Sequence, residues 1–156
     1  MKAELHRAEQ YRLGALRSYG ILDTPREIDF DEIVKVASAV CGTPISVVNL
    51  IDQGRQWFKA EVGLGLRETP LDSSICAHAI LQPDLFIVPD TKLDHRFCNN
   101  SLVTGDPYLR FYAGALLETP EGFPFGTVCV DYKPRQLDET QKAFLHLMSN
   151  QVMKLS

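Results

Sequence analysis

Cationic charge is in short supply in this 156-residue chain. Its 16 Lys and Arg are outnumbered by 20 Asp and Glu, for a net charge of −4, and no run of Lys and Arg exceeds two residues. Binding a phosphate backbone takes clustered cations, so a nucleic-acid partner is excluded. Long apolar runs are missing too. A membrane-spanning helix needs about 20 consecutive apolar residues, and the longest candidate, Ile45–Ile51, is short and interrupted by Ser46 and Asn49. The amino end, Met1 to Arg7, is charged, reads as helical and has no apolar centre of a secretion signal. The expectation is a cytoplasmic domain with no membrane contact of its own. The four cysteines, Cys41, Cys76, Cys98 and Cys129, sit in apolar contexts and read as small buried hydrophobes rather than a disulfide framework.

What is present suits one globular domain. A chain of this length buries roughly 70% of the surface its unfolded form exposes, and 45% hydrophobic with 23% charged residues is an ordinary soluble composition. Residues 3–18 carry a loose apolar stripe of Leu5, Ala8, Leu13 and Leu16, predicting a helix that Gly14 weakens and a partner surface supports. Thr24-Pro25-Arg26-Glu27 offers a capping hydroxyl, a proline at the first helical position and a glutamate three residues after the cap. Phe30, Ile33, Ala37 and Val40 follow at helical spacing until Gly42 and Pro44.

Beyond that point the period changes. Ile45–Ile51 reads as a central strand covered on both faces, and Gln56–Ala60 returns across Gln53-Gly54 as its hairpin partner. Ser73 or Ser74 can cap a short helix through Leu81, and Leu85–Val88 is another strand. Residues 91–108 form a long polar connection with turn chemistry at Asn99-Asn100-Ser101 and Gly105-Asp106-Pro107, and a short helix begun by Asp94. A connection of that length is usually functional. Arg110–Leu117 and Phe125–Val130 are two strands joined across 120–122. Asp138-Glu139-Thr140-Gln141 forms a capping box for a last helix with Phe144, Met148, Val152 and Leu155 as its stripe. Leu145, Leu147 and Met153 widen its apolar arc, which predicts a second contact, a helix dimer. The sum is an α+β layer design: an antiparallel sheet with helices on one face and loops on the other.

Nine ordered blocks then carry a family likeness: Ile21-Leu22-Asp23-Thr24-Pro25, Gln56-Trp57-Phe58-Lys59, Val62-Gly63-Leu64, Arg67-Glu68-Thr69-Pro70, Ser74-Ile75-Cys76-Ala77-His78-Ala79-Ile80, Val88-Pro89-Asp90, Asp94-His95-Arg96-Phe97, Arg110-Phe111-Tyr112-Ala113-Gly114 and Gly126-Thr127-Val128-Cys129-Val130. Together they resemble bacterial GAF domains found beside histidine kinases and diguanylate cyclases, over about Leu16 to Val152. The resemblance implies a GAF/PAS-like sheet of about six strands, with the terminal helices on one face and short helices and loops forming a pocket on the other. It implies a sensory role in signal transduction: a small ligand or signal, parallel homodimers through the terminal helices, and an output domain in cis. On this reading 1–20 and 137–156 are signalling helices around a core of 21–136, the chain stops short of its output domain, and it is not itself an enzyme. The cofactor stays unassigned. The chain lacks the Asp-Pro-Cys-Phe and Asp-Ile-Pro segments of bilin-binding relatives and the Asn-Lys-…-Phe-…-Asp-Glu signature of cyclic-nucleotide binders, and its cysteines do not match those of the methionine sulfoxide reductases.

The candidate pocket residues are Phe58, Ser74, Cys76, His78, Asp90, Phe97, Arg110 and Tyr112. Trp57 and Phe58 point to opposite faces of one strand, so one serves the helical layer and the other the pocket. Arg110 and Tyr112 can share the pocket face and hold a carboxylate or phosphate, or mark a solvent-exposed edge. Cys76 and His78 could be nucleophile and base, but residues two apart on a helix point about 200° away from each other. With His95 and Cys98 they have the donor types of tetrahedral zinc, at a spacing that matches no standard finger, so no metal site is assigned. Asp90 and Asp94 read as caps. Two alternatives remain: a thiol-based redox sensor or enzyme using Cys76 or Cys98, and a dimerisation module without a ligand.

Overall fold

A computed structural model describes residues 1–106 and 108–156, Tyr132 by its backbone only. Pro107, expected in a turn, lies outside the described residues. The elements in chain order are α1 (Glu9–Ser18), α2 (Ile28–Cys41), β1 (Ile45–Ile51), β2 (Arg55–Val62), β3 (Glu68–Pro70), α3 (Cys76–Ala79), β4 (Leu85–Val88), α4 (Ser101–Thr104), β5 (Phe111–Glu118), β6 (Pro124–Tyr132) and α5 (Glu139–Leu155). The strands make one six-stranded sheet in the order β3-β2-β1-β6-β5-β4, and every neighbouring pair is antiparallel. This is the α+β architecture expected from the sequence.

Side-chain alternation along the strands divides the interior in two. Val48 and Leu50 of β1, Phe111, Ala113, Ala115 and Leu117 of β5, and Val128 and Val130 of β6 join a core completed by α2 and α5. Val47 and Ile51, Tyr112, and Cys129 turn the other way, into a smaller core covered by α3 and the connections around it. Trp57 belongs to the first layer and Phe58 to the second. Because β1 and β6 lie at the centre of the sheet with both faces covered, β1 is buried along its whole length, as apolar residues on both of its faces require.

Three expectations need correction. The first helix begins at Glu9, not residue 3. The ring Nδ1 of His6 accepts the Ala8 amide at 3.0 Å, and the preceding residues run out to α3. There the Met1 ammonium donates to the Arg96 carbonyl and the Met1 carbonyl lies 2.8 Å from His78 Nε2. Second, Thr24 does not cap α2, which starts only at Ile28 after an extended Glu27. Thr24, Pro25 and Glu27 instead surround one ammonium group: Lys59 Nζ donates to the Thr24 hydroxyl at 2.7 Å and the Pro25 carbonyl at 2.8 Å, and pairs with the Glu27 carboxylate. A β-bulge is the cause. Val48 pairs with Ala60 and Asn49 with Phe58, so Lys59 is skipped and its side chain is buried toward α2. Third, the buried face of α5 is Leu145, Ser149 and Val152. Phe144 and Met148 sit half-buried beside it, and Leu155 is exposed. On α2, Val34 and Cys41 are buried while Val40 is exposed.

The capping box of α5 is present as read: Asp138 accepts the Gln141 amide at 2.7 Å and the Gln141 side chain accepts the Asp138 amide at 3.0 Å. Among the described residues no helix is long and apolar enough to cross a membrane.

Candidate functional site

The face of the sheet away from α2 and α5 carries a half-open cavity of about 360 Å³. Its floor is the alternating set of β6, Cys129 and Asp131, with Tyr112 of β5 beside them and Val47 of β1 and Phe58 of β2 completing the wall. Cys76 and Ile75 close it from α3, and Leu102, Asp106 and Leu109 from the connection before β5.

Tyr112 reaches this position because Gly114 leaves room. A Cβ there would lie 2.3 Å from the tyrosine hydroxyl oxygen and under 3 Å from two ring carbons. The hydroxyl donates to Cys76 Sγ at 3.2 Å and meets Thr127 Oγ1 at 3.0 Å. Asn49 anchors the same cluster, donating to Thr127 Oγ1 at 2.7 Å, and the thiols of Cys76 and Cys129 are 3.9 Å apart. Burial pushes Tyr112 and Cys129 well above their ordinary ranges. At Cys76 burial also pushes upward, but hydrogen bonds from Cys129, Tyr112, Thr127 and Asn49 outweigh it and hold the thiol below its usual range.

Asp131 is a different case. It is 4% exposed, its Oδ1 has no hydrogen-bond partner, and its Oδ2 meets only a distant Cys129 thiol at 3.9 Å. Burial raises its carboxyl well above the carboxylate range.

The sequence-derived candidates are only partly gathered. Phe58, Cys76 and Tyr112 line the cavity. Ser74 sits behind the wall, accepting the Ala77 amide and donating to Gln56 Oε1. His78 turns away to the Met1 carbonyl and stacks edge-on against Phe97 at 4.9 Å between centroids. Burial lowers its pKa. Phe97 is buried in the layer behind. Asp90 and Arg110 form an ion pair at 3.1 Å, so the guanidinium already has its carboxylate and no Arg–Tyr anion clamp forms. Asp90 also caps the turn Thr91–Leu93; Asp94 accepts the Arg96 amide, but the short helix expected to begin there does not form, and residues 95–99 make a turn.

Cys76 and His78 therefore face different partners, and Cys98 is half-exposed against the His95 carbonyl. Among the described residues no three His, Cys, Asp or Glu side chains form a metal-binding group. Sequence reasoning missed Gln56, Thr69, Asp106, Cys129 and Asp131 as wall residues. For the last two a signal existed. Thr127, Cys129 and Asp131 fall at period two on one strand, opposite Val128 and Val130, so a polar set on a buried strand marked the pocket face.

A six-stranded antiparallel sheet with helices on one side and a half-open cavity on the other defines a small α+β domain. This chain belongs to the GAF domain family, whose model matches residues 26–154; such domains are sensory and regulatory modules. A curated relative, a cyclic di-GMP phosphodiesterase of Pseudomonas aeruginosa, is 42% identical over 147 residues. That match covers 93% of this chain and 25% of the relative, so the chain spans about a quarter of the length of the protein it matches. Two solved structures share the fold. One is the GAF domain of a phosphoenolpyruvate-protein phosphotransferase from Coxiella burnetii, with TM-score 0.68 and 13% identity over 93% of this chain and 92% of that one. The other is a free methionine-R-sulfoxide reductase from Thermoplasma acidophilum, with TM-score 0.67 and 15% identity over 90% and 94%.

These relatives correct one expectation. The chain was expected not to be itself an enzyme. The relative's name is that of an enzyme, a phosphodiesterase, and a domain of the same fold is a reductase. The resemblance came from a shared domain type, and a domain type does not identify the chemistry attached to it.

Proposed function

We propose that this chain is the ligand-sensing regulatory GAF region of a protein that hydrolyses cyclic di-GMP. The half-open cavity on the sheet face opposite α2 and α5 carries the sensing part of this reading. The identity to the Pseudomonas aeruginosa phosphodiesterase supports the catalytic setting. Occupancy of the cavity favours one arrangement of the helical layer over another, and α1 and α5 pass that preference to the catalytic region in cis. Only a difference in ligand affinity between the two arrangements is needed. A groove that combines Ile33 and Val36 of α2 and Phe144, Met148 and Leu155 of α5 with Asp29, Glu32 and Gln151 supports pairing of two copies through these helices.

The test fills the cavity in the full-length protein. Leu102→Trp places an indole into the space from α4, where Leu102 is only half-buried. Hydrolysis of cyclic di-GMP is expected to change at least threefold in kcat with little change in KM, while the melting transition stays cooperative. Unchanged hydrolysis with a folded variant overturns the proposal.

A further inference from the structure

We propose that the cavity takes a small organic cation, a primary amine, amidine or guanidine on a compact apolar frame, with its charged N–H groups on Asp131. The inference rests on the reading of the cavity as a ligand site and adds the chemistry of the ligand.

Asp131 carries it. Buried polar groups in folded proteins are almost always hydrogen-bonded, and an unpartnered one calls for an explanation. Here a carboxyl oxygen, in a residue 4% exposed, has no partner and borders the cavity. The neighbouring polar groups do not need a ligand. Gln56 already accepts from Ser74 and donates to Thr69, and Tyr112 is held by Cys76 and Thr127. Among the residues that line the cavity the buried vacant acceptor is Asp131 Oδ1; Asn49 Oδ1, also unpartnered, is not part of the lining.

Charge selects the partner. Among the described residues lining the cavity there are two carboxylates, Asp106 and Asp131, and no Lys, Arg or His. The titratable groups facing Asp131 are Cys129 on its own strand, Cys76 on α3 and Tyr112 on β5, with Asp106 on the far wall; none is a cation. A phosphate or carboxylate placed here would be desolvated with no cationic side chain in the lining to compensate it. A cyclic dinucleotide is excluded from this cavity on the same ground. A cationic N–H donor, by contrast, supplies both the missing hydrogen bond and the missing charge. The remaining walls, Val47, Phe58, Leu64, Ile75, Leu102 and Leu109, are apolar and fit a hydrocarbon or aromatic frame. Burial favours the protonated form of Asp131 in the free protein, and a cation on its carboxylate favours release of that proton to solvent.

Isothermal titration of the full chain with phenethylamine and benzamidine, against 3-phenylpropanoate and cyclic di-GMP, tests this. Runs in two buffers of different ionisation enthalpy count the protons released. The expected result is binding of the amine and amidine with proton release, no binding of the two anions, and at least tenfold weaker amine binding in Asp131→Asn with an unchanged or raised melting temperature. Equal or tighter binding of either anion, amine affinity unmoved by Asp131→Asn, or no binding of either cation overturns the proposal. If the cations fail while Leu102→Trp still alters hydrolysis, the charge assignment falls and the sensing cavity stands. If both fail, the reading of the cavity falls with it.

Discussion

Lys59 and Asp131 are both buried and charged by type, yet the fold treats them oppositely. The ammonium of Lys59, with a side chain 1% exposed, has three oxygen partners, which is how a buried cation is tolerated. Replacing it with methionine strands the Thr24 hydroxyl and the Pro25 carbonyl. Lys59→Met is expected to lower stability by about 1–3 kcal/mol, read from urea unfolding, although the volume is nearly conserved. Asp131 has no comparable support. Its folded carboxyl lies above the ordinary range because of burial. Between that range and the raised value the unfolded chain has lost a proton that the folded chain keeps, so stability falls as pH rises. Asp131→Asn, which carries no such proton, should match the parent near pH 4 and exceed it at pH 7 in urea midpoint. A parent at least as stable at pH 7 would refute the assignment of Asp131 as an unsupported buried acid.

At the scale of elements, the sequence contained two N-terminal capping signatures of similar appearance, and only one caps a helix. Asp138 and Gln141 do so through reciprocal hydrogen bonds, and Asp138→Ala should cost about 1 kcal/mol. The Thr24 signature was diverted because a bulge one strand away turned Lys59 inward, a long-range event with no local trace. The strands were more legible. Ile45–Ile51 could be read to the residue because a run apolar on both faces has few other uses. The short edge strand β3 escaped notice because three residues, one of them Pro70, carry no period. Two glycines of the sheet also differ. A Cβ at Gly126 would lie 2.0 Å from the Asn49 carbonyl oxygen, which is backbone, whereas at Gly114 it would meet the movable ring of Tyr112. Gly126→Ala should therefore be the more destabilising in thermal melts, and Gly114→Ala the one that reshapes the cavity.

Seen as a whole, the molecule keeps three of its four thiols inside. With the thiol reagent in excess at neutral pH, Cys98 should label first and Cys41, Cys76 and Cys129 only on unfolding. For Cys41 burial raises the thiol to about 11, and for the other two the surrounding structure denies access. Rapid labelling of Cys76 in the native protein would instead favour a thiol-based role. The layer design was legible because periodicity and capping act over a few residues. The cavity was less so, since its walls come from β1, β2, α3, the connection before β5, β5 itself and β6, and which side chains meet depends on pairing register. His78 and Arg110 looked like pocket residues, but each found its partner elsewhere.

The sheet is one backbone thick, and its alternation has a consequence for distance. Tyr112 stands in the cavity while Phe111 and Ala113 stand under the helices, and Cys129 is flanked by Val128 and Val130 in the same manner. Whatever the cavity registers is one peptide unit, about 3.8 Å, from side chains in the layer that α5 covers. On the proposed sensing role, the shortest path for an occupant's effect is the tilt of a single peptide plane.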